Sequence, residues 1–257
     1  MSGVSTQRRP LLPLLAFLGL GLVWEALCVW GGWSVEALPT PRQTVASTWE
    51  LIQSGDLLRH AVASLYRVTA GFYLAVLFGI PAGMLLGWWK AGQAAFSPVI
   101  EFLRPISPLA WIPLAMLWFG IGDQPAIFLI FLASFFTILV PTTAAVNDIS
   151  RTYFQVASNL DFSKLELFRL VIFPAILPRL LPALRISVGI AWLVVVAAEM
   201  IAVKSGLGFL ILDARNALRM DFVVSAMISI GLIGIGLDWV IGRLGRIESV
   251  AWGMQHH

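Results

Sequence analysis

Charge is what this sequence has least of. Only 12% of its 257 residues are Asp, Glu, Lys or Arg, about half the share of a water-soluble domain. Val68–Trp89, Pro105–Gly122 and Gln124–Asn147 contain none at all. Cysteine occurs once, as Cys28 inside an apolar run, which excludes an internal disulfide and a cysteine-cluster metal site. His60, His256 and His257 lack the spacing that places two metal ligands on one helix face. No Gly-x-x-x-x-Gly-Lys-Ser/Thr loop is present, so ATP phosphates are not cradled by that route. Gly206-Leu207-Gly208 is too short for a dinucleotide fingerprint and reads as a turn. Neither internal repeats nor low-complexity segments occur. The chain is therefore read as a non-enzyme, with no metal or cofactor of its own.

What is abundant is apolar: 59% of residues, for a mean hydropathy of +0.87. About 20 consecutive apolar residues cross a bilayer as a helix. The uncharged stretches lack the strict alternation of a lipid-embedded barrel, so helices must satisfy the backbone. Six spans are expected: residues 11–30, 68–88, 109–121, 126–146, 186–203 and 222–241. Arg8-Arg9 ahead of Leu11-Leu12 imitates an export signal, but the run that follows carries Trp24 and Glu25 and no small-x-small cleavage site. An uncleaved first helix is expected. Division of the chain follows: an N-terminal span and external amphipathic segment at 1–60, a spanning core at 61–245, and a cytoplasmic tail at 246–257.

The pI of about 9.4 does not point to nucleic acid, because the basic residues are scattered over short segments flanking apolar ones. They encode topology instead. With both termini cytoplasmic, the inner segments hold 11 of the 17 basic residues and the outer ones hold Arg42, Arg59, Arg67, Lys204, Arg215 and Arg219, as the positive-inside tendency requires. Leu38-Pro39-Thr40-Pro41 marks a turn into an external amphipathic helix.

Two interruptions stand out. Pro105, Pro108 and Pro113 crowd the start of the third span. Irregular backbone at membrane depth survives only packed in protein or lining a cavity, so 105–113 is either pathway lining or an interfacial elbow. The second is the long inner loop, 147–185. Phe154, Ala157, Leu160, Leu165 and Phe168 recur there at helical intervals without Gly or Pro, which reads as one or two amphipathic helices off the membrane. Pro174, Pro178 and Pro182 then predict a bend before the fifth span.

Intramembrane carboxylates are costly. The candidates are Glu25, Asp238 and Glu199, the last expected to gate a pathway or to pair with Lys204 or Arg215. Ser107, Trp111, Ser134, Thr137, Ser187 and Trp192 are the uncharged polar residues that could line a passage or serve helix packing.

The inner loop resembles that of membrane subunits of ATP-binding-cassette importers. The family signature there is Glu-Ala-Ala, three residues, Gly, nine residues, Ile-x-Leu-Pro. Gln155-Val156-Ala157, Asp161 and Val171-Ile172-Phe173-Pro174 keep that spacing, with Gln155, Val156 and Asp161 in place of the signature's Glu, Ala and Gly. Leu38-Pro39-Thr40-Pro41, Arg104 through Pro113, Trp118-Phe119-Gly120-Ile121-Gly122, Ala197-Ala198-Glu199-Met200-Ile201 and Gly206-Leu207-Gly208-Phe209 are similar to the nitrate, sulfonate, taurine and bicarbonate permease branch.

That resemblance implies an all-α, MetI-like type I permease with about six spans in the bacterial inner membrane. It implies a homodimer, two cytoplasmic ATPase subunits that bind ATP and magnesium, and an external or lipid-anchored substrate-binding protein. The segment from Gln155 to Phe168 becomes the helix gripped by the ATPase, with Gln155, Val156, Ala157, Asp161, Leu165 and Pro174 as coupling residues. The cargo implied is a small oxyanion. A neutral thiamine-pyrimidine precursor and an ATP-independent channel or scaffold are the alternatives.

Overall fold

The computed structural model describes residues 11–31 and 37–244, and they are nearly all helical. α1 (Leu11–Trp30) is followed by α2 (Pro41–Gln53), which Thr40 opens: its hydroxyl accepts from the Gln43 amide while the Gln43 side chain returns to the Thr40 N–H, with Pro41 in the first turn. Gly55, at φ +77°, supplies the left-handed residue that turns the chain into α3 (Asp56–Trp88). α4 (Lys90–Leu103) comes next. Residues 104–107 and a tight 3₁₀ turn at Pro108–Trp111 precede α5 (Ile112–Phe119), and the two rods meet at 85°. α6 (Asp123–Asn147), α7 (Arg151–Asn159), the short α8 (Lys164–Glu166), α9 (Phe173–Ala202), α10 (Leu207–Asn216) and α11 (Met220–Leu244) complete the chain.

The expected spans at 11–30, 68–88, 126–146 and 222–241 fall within α1, α3, α6 and α11, and 186–203 overruns α9 by one residue, whereas 109–121 covers the 3₁₀ turn, α5 and the two residues after it. Among the described residues four helices are long and apolar enough to cross a membrane, five if the bent pair α4 and α5 counts as one. α3 starts at Asp56, earlier than the expected 68, so the division drawn at residue 60 falls inside a helix. Residues 90–103, to which no expected span was assigned, form the helix α4. The tail at 246–257, with His256 and His257, lies outside the described residues.

Lipid offers helices no hydrophobic reason to associate, so close packing must provide it. α3 carries a small residue at every fourth position: Gly71, Ala75, Gly79, Gly83 and Gly87. α6 faces it with Ile130, Ser134, Ile138, Thr142 and Val146 at the same interval. A Cβ added at Gly71, Gly83 or Gly87 would stand 2.7, 2.7 or 2.5 Å from the Cβ of Ile130, Thr142 or Val146. The α3 backbone therefore rests directly on α6 side chains. α9 covers another side of α6, and Leu129, Ile130, Val195 and Ala198 are fully buried between them. Leu77, Leu117, Leu193 and Leu232 face outward, fully half or more exposed, a surface suited to lipid or protein and not to water.

The bend expected at the three prolines is absent. Lys164–Ala202 runs as one 39-residue helical rod. The reason is local: Leu167–Ile172 forms a wide π turn, in which the Phe173 N–H bonds to the Phe168 carbonyl five residues back. Opening the turn there relieves the clash that Pro174 would make with the preceding α-helical turn.

Candidate translocation groove and coupling face

The irregular segment at 105–113 borders a cavity. A groove of about 500 Å³ is lined by Arg104, Ile106 and Pro108 from the elbow, Thr137 and Val140 from α6, and Ala183, Ile186 and Ile190 from α9. A second groove, about 530 Å³, takes Gln93, Ser97, Glu101, Arg104, Thr143 and Asn147 among its lining residues. Arg104 and Val140 border both.

Of the polar residues proposed from the sequence, Thr137 lines the first groove. Its hydroxyl donates to the Ala133 carbonyl at 2.9 Å. Ser107 is exposed at the elbow between two lining residues, and Trp111 is half-buried against the core. Ser134 and Ser187 are fully buried together at the contact of α6 with α9, where the Ser187 hydroxyl reaches the Ser134 carbonyl at 3.5 Å. Trp192 ties α9 to α11 by donating Nε1–H to the Ile230 carbonyl at 3.1 Å. The last three serve packing at these positions.

Glu199 is neither in a groove nor paired with Lys204 or Arg215. Its carboxylate is wholly buried, and its partner is Arg67, itself 1% exposed, with Nη1 donating to Oε1 at 2.6 Å. The Ser64 hydroxyl and the Gly208 amide donate to the other oxygen at 2.8 and 3.0 Å. Arg67 spends its remaining donors on Asp123 at 2.8 Å and on the Ser205 carbonyl and hydroxyl at 2.8 and 2.5 Å. Close by, the Leu207 amide donates to Ser64 and the Gly206 amide to His60 Nδ1. The cluster knots α3, the start of α6 and the turn from α9 to α10 at one end of the bundle. Every formal donor the guanidinium points inward finds an oxygen, which a buried charge requires. Reading Arg67 as an outer flanking charge missed this. The available signal was Ser64 and Arg67, three apart on one helix face immediately before an uncharged run.

Asp238 pairs with Arg185 through two bonds of 2.6 and 2.5 Å, both side chains about half exposed. Glu25 is partly buried on α1. At the α2 end, Arg219 bridges Glu50 and Asp221. Donating to the Asp221 carboxylate holds the Arg219 guanidinium above its usual pKa, with Glu50 adding to it.

The opposite end of the bundle carries α7. The helix expected from Gln155 to Phe168 is not continuous: α7 ends at Asn159 and α8 starts at Lys164. Asp161 adopts the left-handed φ of +51°, and the Phe162 amide closes back on the Ala157 carbonyl at 3.1 Å. This is a glycine-type helix stop made with aspartate, which tolerates that conformation better than most residues. Ser163 then caps α8 reciprocally with Glu166. Tyr153, Val156 and Leu160 share one face of α7 and are 59%, 51% and 62% exposed. They border an apolar hollow of about 270 Å³ closed by Phe162 and Val171. Gln155 is exposed beside them and Leu165 projects from α8, whereas Ala157 is buried against the bundle. Pro174 is exposed on α9, one turn past the wide turn.

Residues 75–247 match the family described as "Binding-protein-dependent transport system inner membrane component". A putative ABC transporter permease of Methanocaldococcus jannaschii is 41% identical over 73% of this chain and 71% of its own length. The taurine transport system permease TauC of Escherichia coli is 34% identical over 89% and 87%. The nitrate import permease NrtB of a Synechocystis strain is 35% identical over 90% and 86%. A solved inward-facing form of the MetNI methionine ABC transporter shares the fold, with a TM-score of 0.59 at 20% identity over 76% of this chain and 98% of that one.

Proposed function

Since the chain belongs to the family of binding-protein-dependent transport system inner membrane components, a multi-pass permease family, we propose that it moves a small oxyanion into the cytoplasm as the membrane subunit of an ATP-driven importer. Two copies form the pathway, and an external binding protein delivers the cargo. Separate ATPase subunits, which hold ATP and magnesium, drive it from the α7 end, which is the cytoplasmic end. The oxyanion rests on kinship: the relatives named for taurine and nitrate each match about nine-tenths of this chain, and both cargoes present a delocalised anionic oxygen group.

The observation that carries the ATP-driven reading is the α7 face. Three apolar side chains at helical spacing stand half or more exposed on a helix outside the apolar spans. A lone surface helix in water has no reason to expose them, and a partner cleft does. Closure of that cleft would displace α7 and, through the continuous rod that begins at α8, the spans themselves. Uptake of labelled nitrate and taurine by cells making the complete complex tests the reading. Val156→Asp is the diagnostic change, since it charges the exposed face without entering the bundle. It is expected to abolish uptake and co-purification of the ATPase while the permease still inserts. Uptake that survives this variant, or loss of the ATPase, would favour an ATP-independent channel.

A further inference from the structure

Arg104 is one of the basic residues counted to the inner segments in the sequence. Arg104 follows α4 at the elbow and borders both grooves, together with Val140 of α6. Val140 lies seven residues before Asn147, the last residue of α6, which is about 10 Å along the helix axis. The guanidinium therefore belongs to a site well inside the rod's end. Among the described residues it forms no ion pair, although seven other arginine–carboxylate pairings occur among them and Glu101 borders the same groove.

An arginine at membrane depth is costly when it meets lipid and is retained where it faces a water-filled cavity or a charged ligand. Thr137 cannot substitute for it as a donor while its hydroxyl is committed to Ala133. Among the described residues no other Lys or Arg lines either groove, although the Lys90 ammonium donates to the lining Asn147 at 2.5 Å. The planar guanidinium presents paired N–H donors that match the geometry of oxyanions.

We propose that Arg104 is the anion-recognising residue of the passage, set where the two grooves meet. This rests on the oxyanion reading above and deepens it. The elbow explains the placement: a straight helix through 90–119 would carry Arg104 past the grooves on the helix surface, whereas the break at 104–107 turns it into the space between them.

The test is uptake by the full complex, with its ATPase and binding protein, in proteoliposomes. The probes are nitrate, taurine and a neutral hydroxymethylpyrimidine. Arg104→Gln is expected to lower anion uptake by about tenfold to a hundredfold, the worth of a hydrogen bond to a charged group, with basal ATP hydrolysis and subunit co-purification unchanged. Arg104→Lys retains the charge but loses the paired donors, so its anion uptake is expected to fall between that of Arg104→Gln and wild type. Wild-type anion uptake by Arg104→Gln, or Arg104→Lys as impaired as Arg104→Gln, overturns the assignment alone. Should Arg104→Gln fail to assemble, the ratio of nitrate to taurine KM in Arg104→Lys decides, because a ratio unchanged from wild type overturns it. Transport of only the neutral probe by the wild-type complex overturns the oxyanion reading itself.

Discussion

Replacing Arg67 by methionine keeps most of the side-chain volume and removes one charge from a site where its partner stays behind. Four bonds are deleted: those to Asp123, Glu199 and both oxygens of Ser205. Asp123 is 52% exposed and its bond is solvent-screened, so its loss matters little, at most about 1 kcal/mol. Glu199 is the deciding partner. It is 0% exposed and would retain only Ser64 and the Gly208 amide against a full negative charge. Breaking one half of a buried pair costs about 3–5 kcal/mol, most of it the stranded charge and not the lost bond. The pattern across variants is more informative than the single value. Adding Glu199→Gln to Arg67→Met removes the stranded charge, so the double variant is expected to recover about 2 kcal/mol of the loss. SDS titration of the purified permease in mixed micelles, followed by tryptophan fluorescence, reads both midpoints, since the chain holds 11 tryptophans. An Arg67→Met midpoint within about 0.5 kcal/mol of wild type, or a double variant less stable than the single one, would refute the buried-pair reasoning.

The contact of α3 with α6 predicts a graded series. Gly87→Ala and Gly83→Ala force carbons to 2.5 and 2.7 Å from Val146 and Thr142 and should each cost about 1–3 kcal/mol, whereas Gly79→Ala, at 3.3 Å from Ile138, should stay within about 1 kcal/mol; the same titration ranks them, and equal effects would contradict the close approach. Leu218 holds φ +57° while 76% exposed, so Leu218→Gly is expected to raise stability by about 0.5–1 kcal/mol through relief of the left-handed strain; a loss would mean the side chain is engaged. Tyr153→Ala, on the exposed face of α7, should weaken ATPase co-purification and leave the SDS midpoint unchanged, whereas Ala157→Asp, buried at 3%, should lower both.

The apolar spans were readable because lipid imposes one requirement over about 20 residues, and uncharged runs around Phe78, Leu129 and Val195 meet it wherever the helices pack. The turn into α2 was equally local, encoded by Pro39, Thr40 and Pro41. The rod from Lys164 was misread for the opposite reason. Pro174, Pro178 and Pro182 each argue for a break, and only the wide turn upstream, which no residue type announces, lets the helix continue. The site was less legible than the fold. Glu199 was recognisable as a costly buried acid, but its partner lies 132 residues away in sequence, beyond any spacing rule. Nearness in sequence favoured Lys204 and Arg215 and misled. Arg104 was visible as a charge beside prolines, yet whether such a charge meets headgroups or cargo depends on which way the elbow turns.

The same prolines have a mechanical meaning. Proline removes the donor that would hold the carbonyl four residues earlier, so Leu170, Pro174 and Pro178 lie in a row without the usual ladder rungs beside a turn already widened. Above Pro182 the helix has no further proline up to Ala202, where the ionic knot begins. One strut thus joins a lower third short of three ladder rungs to an upper part that keeps them, and a push at α8 would be taken up first as flexure and only afterwards as displacement. Its compliance would set how far a coupling stroke must travel before the far end responds.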